Sequence, residues 1–154
     1  MPITVPMDCV FRVAAGPRLG FGHLVRCRSM AQALGVAPRV SIRGSRRTRA
    51  LAVRLGWTVV DARLALTPGT SLLVVDDPDA AETARWVRRA RALGVPVATI
   101  HDAGVGWNAR GDLAVDGSLT PGRRQRATAD LTGPRVAILD PGLTRTAVRP
   151  TRRG

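Results

Sequence analysis

His23 stands at the start of a helix-like run, directly after a loop with three glycines in seven residues, Gly16-Pro17-Arg18-Leu19-Gly20-Phe21-Gly22. An imidazole ordinarily titrates near neutral pH and can accept or donate a proton there. Glycines let the backbone take positive φ and come close to a ligand. The helix that follows turns its unpaired N–H groups and positive dipole end toward the loop, which suits an anion. These residue types can bind a charged substrate and move a proton beside it. Three further candidates end apolar runs: Asp76 after Ser71-Leu72-Leu73-Val74-Val75, and His101-Asp102 after Pro96-Val97-Ala98-Thr99-Ile100. The plainer reading is a tight strand-to-helix turn in which His23 helps close the helix end, and a glycine loop alone leaves both readings open.

The elements that must position these residues follow from periodicity. Residues 9–15 form a buried strand whose apolar run only Arg12 interrupts. From His23 to Leu34 a helix places Leu24, Cys27, Ala31 and Leu34 on one face, with Arg26 and Arg28 off it, and Gly35 ends it. Residues 39–43 alternate as a short strand. Arg46 to Leu55 is a helix with a basic face closed by Gly56, and Trp57–Val60 is a third strand. After the Pro68-Gly69 turn comes the clearest buried strand, residues 71–75. Asp79 and Glu82 have the spacing of a capping box. The helix they open buries Thr83, Trp86, Val87, Ala90 and Leu93, exposes Arg85, Arg88 and Arg91, and stops at Gly94. Strands at 96–100 and 113–115 follow, with a seventh at Val136–Leu139.

Strands alternating with helices predict an α/β fold, a Rossmann-like parallel sheet with helices on both faces. Ligands bind outside the carboxyl ends of such strands. Gly16, Asp76, His101 and Asp102 all follow strands at that edge.

Composition narrows the function classes. The 154 residues suit one domain with a real core. The formal charge of +13 comes entirely from arginine, because the sequence contains no lysine. That bias, with abundant Ala, Gly and Val, lowers the weight of the charge as a functional signal, although non-specific binding to polyanions follows from it. With no Tyr and three isolated Trp, the stacking platforms of single-strand binders are missing. Cys9 and Cys27 give neither a metal-ligand spacing nor a disulfide framework and read as buried thiols. The start of the chain lacks the features of a signal peptide, and no apolar run is long enough to span a bilayer, so the expectation is a cytoplasmic protein with no membrane contact. A parallel sheet with a glycine loop after its first strand also suggests a dinucleotide site. Arg43-Gly44-Ser45-Arg46-Arg47 would suit the 2′-phosphate of NADP, but Gly16-x-x-x-Gly20-x-Gly22 is not the GxGxxG fingerprint, so no cofactor is expected.

The run Arg12-Val13-Ala14-Ala15-Gly16 … Leu19-Gly20-Phe21-Gly22-His23-Leu24-Val25-Arg26-Cys27 resembles a known pattern, R-x-D-x-S … G-x-G-H-x-x-R-C. It belongs to the UDP-2,4-diacetamido-2,4,6-trideoxy-β-L-altropyranose hydrolases of pseudaminic acid biosynthesis. Spore-coat polysaccharide proteins and MurG-like glycosyltransferases share that architecture. Leu73-Val74-Val75-Asp76-Asp77, Ile100-His101-Asp102, Asp112-Leu113-Ala114-Val115-Asp116 and Gly133-Pro134-Arg135-Val136-Ala137-Ile138-Leu139 are similar to later segments of the family. The resemblance implies the amino-terminal half of a GT-B fold over residues 1–140, followed by a basic, linker-like tail at 141–154. It implies a nucleotide-sugar substrate, His23 as the base that activates water at the anomeric carbon, and Gly20, Phe21, Gly22, Arg26, Asp76, His101 and Asp102 around the substrate. The departures are Ala14 and Gly16 for the family's Asp and Ser, Asp77-Pro78 where an aromatic contact usually follows, and His101 for an Asp. The resemblance also implies that the UDP-holding carboxy-terminal domain is a separate half. The competing expectations are a non-catalytic domain that docks on such a partner and, behind it, a basic nucleic-acid binder.

Overall fold

The computed structural model describes residues 7–102, 109–116 and 129–133. Among them the elements run β1 (Cys9–Ala14), α1 (Gly22–Leu34), β2 (Arg39–Arg43), α2 (Arg46–Arg54), β3 (Thr58–Val59), β4 (Leu72–Asp76), α3 (Ala80–Ala92), β5 (Val97–His101) and β6 (Leu113–Asp116). The strands form one sheet in the order β3-β2-β1-β4-β5-β6, and every pairing between them is parallel. This is the Rossmann-like α/β arrangement expected. The chain order reverses between β1 and β4, the place where such sheets open a crevice at their carboxyl edge.

Strand parity divides the core in two. Phe11, Val13, Val40, Ile42 and Val74 pack with Leu24, Cys27 and Ala31 of α1 and with Ala52 of α2. Their neighbours Val10, Leu73, Val75 and Val97 pack with Trp86, Val87 and Ala90 of α3. Both faces are covered, which is why β1 and β4 are almost wholly apolar instead of alternating. Among the described residues, no helix is long and apolar enough to cross a membrane.

Several expectations shift in detail. Leu34, placed on the apolar face of the first helix, is 43% exposed, because α1 ends there and the chain turns away at Gly35. The third strand shrinks to Thr58–Val59, and Trp57 instead packs edge-on against Phe11 with centroids 5.4 Å apart. The capping box is only half made. Asp79 accepts from the N–H groups of Ala81 and Glu82, but the Glu82 side chain turns to Arg12 and Arg85. Arg12, the interruption in the first strand, is 4% exposed, held by Ser41 and Glu82 and lying over the Trp86 ring. The expected strand at Val136–Leu139 and the tail at 141–154 lie outside the described residues.

Two glycines shape the edge that carries the candidate site. Gly20 takes φ +74 and exchanges backbone hydrogen bonds with Gly16, closing the loop into a compact turn before α1. Gly44 follows β2 so closely that an added Cβ would meet the Ala15 carbonyl oxygen at 2.5 Å. A Gly44→Ala variant should therefore lose about 1–3 kcal/mol to overpacking, since that contact is with backbone and cannot swing aside. Gly22→Ala, with nothing within 4 Å, serves as the control and should be neutral or slightly stabilising. Urea unfolding of the two variants checks the difference, and equal midpoints would contradict it.

Candidate functional site

Asp76 closes β4, paired in register with Val13 of β1. It shares strand parity with Val74, which packs in the cluster of α1, so its carboxylate points at the first turns of that helix. There His23 and Arg26 lie three residues apart on one helix face and both reach it. Arg26 donates through Nε to Oδ2 and through Nη2 to Oδ1, both at 2.5 Å, a two-pronged guanidinium–carboxylate pair. Its remaining nitrogen, Nη1, donates to Asp102 Oδ1 at 2.6 Å. The thiol of Cys27 is 3.5 Å from Oδ2.

His23 Nδ1 lies 2.9 Å from Asp76 Oδ1 and 3.0 Å from Arg26 Nη2. A guanidinium has only donors and an ionised carboxylate only acceptors. The bond to Asp76 therefore assigns the proton to Nδ1, and the short approach to Nη2 is two donors converging on one oxygen. Nε2 is left with its lone pair, and no described residue bonds to it. An imidazole oriented by a buried carboxylate through Nδ1, with Nε2 open, has the arrangement of a general base.

The electrostatics agree with the geometry. The hydrogen bond His23 donates to Asp76 raises its pKa above the ordinary value, with burial and Arg26 opposing. Burial works against both Arg26 and Asp76 as ions, yet their mutual bonds outweigh it, so Arg26 is raised and Asp76 lowered. Burial, and the neighbouring Asp76 charge, push the Cys27 thiol well up, leaving it a poor nucleophile.

A cavity of about 120 Å³ opens beside this cluster. It brings together His23, Arg26, Asp76, His101 and Asp102, all five named from the sequence. His101, at the end of β5, has a buried Nε2 without a hydrogen-bond partner, and burial lowers its pKa so that the neutral ring is favoured. Gly20, Phe21 and Gly22 are exposed and do not line this cavity. The other side of the loop, Gly16 to Leu19, lines a separate depression with Arg43 and Gly44. Sequence reasoning missed Asp77, Pro78 and Thr83 as cavity residues. It also left Arg26 without a partner, although its i, i+3 spacing from His23 carried the signal. Asp77, with its side chain fully buried, is clamped by Arg43 at 2.7 and 2.5 Å.

The chain matches no protein-family model, no curated protein and no solved structure.

Two outcomes test the site itself. Nitrogen-15 correlation spectra of the neutral His23 ring should show Nδ1–H, and a dominant Nε2–H tautomer would contradict the Asp76 contact. Because the folded pKa of His23 is raised, its contribution to stability is complete below the unfolded value of about 6.5 and is lost as pH rises through the folded value. Melting temperature should fall across that window in the wild type and not in His23→Gln. Asp76→Asn removes the charge behind two of the bonds Arg26 makes, leaves the third, to Asp102, and should cost about 1.5–3 kcal/mol, read by urea unfolding.

Proposed function

We propose that this chain is a hydrolytic domain in which His23 acts as general base toward water, on a nucleotide-activated sugar. One observation carries the reading: His23 is held through Nδ1 by a buried carboxylate and lines a cavity at the carboxyl edge of the sheet. Nε2 takes a proton from water as the water oxygen bonds to the anomeric carbon. The bond from that carbon to the diphosphate oxygen breaks, and the nucleoside diphosphate leaves with the electron pair. The raised pKa of His23 keeps the transferred proton on the ring, and the Asp76 charge stabilises the imidazolium. The sugar class rests on the resemblance of Gly20–Cys27 and the Asp-ended strands to the hydrolases of pseudaminic acid biosynthesis. At about 120 Å³ the cavity lies below the usual range of small-molecule sites and admits the reacting end of the sugar alone, with the nucleotide outside it, on the UDP-holding half that the same resemblance implies.

A second reading, a non-catalytic domain that docks on such a half, draws on Leu19, Phe21 and Val25, which are 43%, 36% and 48% exposed around the glycine loop. The two are separated by incubating the chain with UDP-sugars in ¹⁸O-labelled water. The hydrolytic reading expects label on the sugar, unlabelled UDP, and a loss of about 10²-fold or more in His23→Ala with an unchanged circular dichroism spectrum. UDP release that is equal in wild type and His23→Ala, or absent from both, overturns it and leaves the docking reading.

A further inference from the structure

Beside the carboxyl ends of β2 and β3 lies a second, larger cleft of about 440 Å³, within the usual range of small-molecule sites, roughly 300–1,000 Å³. Its residues include Arg12 and Ser41 of the sheet, Arg43 and Gly44 at the end of β2, Arg49 of α2 and Asp61 beyond β3. None of them lines the His23 cavity. The cleft exists because the connection from β3 to β4 contains turns and no helix, so nothing of regular structure fills this corner of the sheet.

The cleft holds more positive charge than its own carboxylate offsets. Arg12 is buried, and its Nε–H meets no acceptor, an exception in a folded interior. The carboxylate it touches, Glu82, is 3.4 Å away and is held more closely by Arg85 at 2.6 Å. Arg43 is fixed by Asp77 through Nε and Nη2, which orients the fork and leaves Nη1 for another partner. Arg49 is exposed and makes no ion pair with a described residue. Against these three guanidinium groups the cleft supplies one acid, Asp61, whose Oδ1 accepts the Arg63 N–H at 2.7 Å. Guanidinium forks match the oxygens of a phosphate group, and a carboxylate oxygen accepts from hydroxyls.

We infer that this cleft is a binding site for a phosphorylated polyhydroxy compound, with the phosphate on Arg12, Arg43 and Arg49 and a hydroxyl on Asp61. The site is independent of the hydrolytic reading and stands or falls without His23.

Calorimetry with the full chain tests it, using ribose 5-phosphate, uridine 5′-monophosphate, ribose and inorganic phosphate at moderate and high salt. Ribose 5-phosphate should bind at least tenfold more tightly than inorganic phosphate, with ribose not binding. Arg49→Glu, an exposed position that tolerates charge reversal, should weaken it at least tenfold, Asp61→Asn should narrow the gap to inorganic phosphate, and His23→Ala should change nothing. Tighter binding of the nucleotide than of ribose 5-phosphate identifies a mononucleotide as the ligand, and the reverse identifies a sugar phosphate. The inference is overturned if inorganic phosphate binds as tightly as ribose 5-phosphate, or if Arg88→Glu on the exposed face of α3 weakens binding as much as Arg49→Glu. Loss of binding in His23→Ala with Arg49→Glu unaffected would place the ligand in the other cavity and overturn it as well.

Discussion

An ionised carboxylate with 1% of its side chain exposed depends on its hydrogen-bond donors, and the edge of this sheet is organised around that need at Asp76. Arg26 supplies two donors and His23 a third, while Cys27 comes within reach as a weak fourth. Because all of those partners sit on α1, the helix is anchored to the end of β4 as well as to the core beneath it. The orientation of His23 is a by-product of this neutralisation. To satisfy Asp76 the imidazole must present Nδ1–H, and that choice leaves the lone pair on Nε2.

Adjacent acids receive different arginines. Asp76 takes Arg26 from α1, and Asp77 takes Arg43 from the end of β2, so two consecutive carboxylates tie the end of β4 to two different elements. An all-arginine composition suits this, because each clamp uses two nitrogens of one planar fork, which a lysine ammonium cannot imitate. The charges of Arg26 and Arg43 are therefore structural. The exposed pairs, such as Arg91 with Asp112, add little. The buried or half-buried pairs decide local geometry, and Arg12, whose acid is shared with Arg85, is the one left short.

The site sits where the topology would put one. Loops leaving β1 and β4 diverge at the reversal of strand order, and the crevice between them is lined by the first turn of α1 and the ends of β4 and β5. Two imidazoles share it under opposite influences. His23 is favoured in its charged form by a bonded carboxylate, whereas His101 is kept neutral by burial. Environments that separate two titratable groups in this way allow acid and base roles in one cavity.

The alternation of apolar runs with helical stripes was enough to specify the parallel sheet, the helices and the edge at which His23, Asp76, His101 and Asp102 gather, because burial on both faces leaves an unmistakable period. The free, buried state of Cys9 and Cys27 was legible for the same reason. What periodicity could not supply was direction and pairing. Arg26 counts as a solvent residue by its place on the helical wheel, and only the nearness of Asp76 and Asp102, 50 and 76 residues along the chain, turns it inward. Arg12 likewise interrupts an apolar strand in sequence, yet it is accommodated by Ser41, Glu82 and the Trp86 ring. Local patterns record which face of an element is buried. Which charge meets which depends on contacts between segments far apart in the chain, and those exist only once the sheet has brought their ends together.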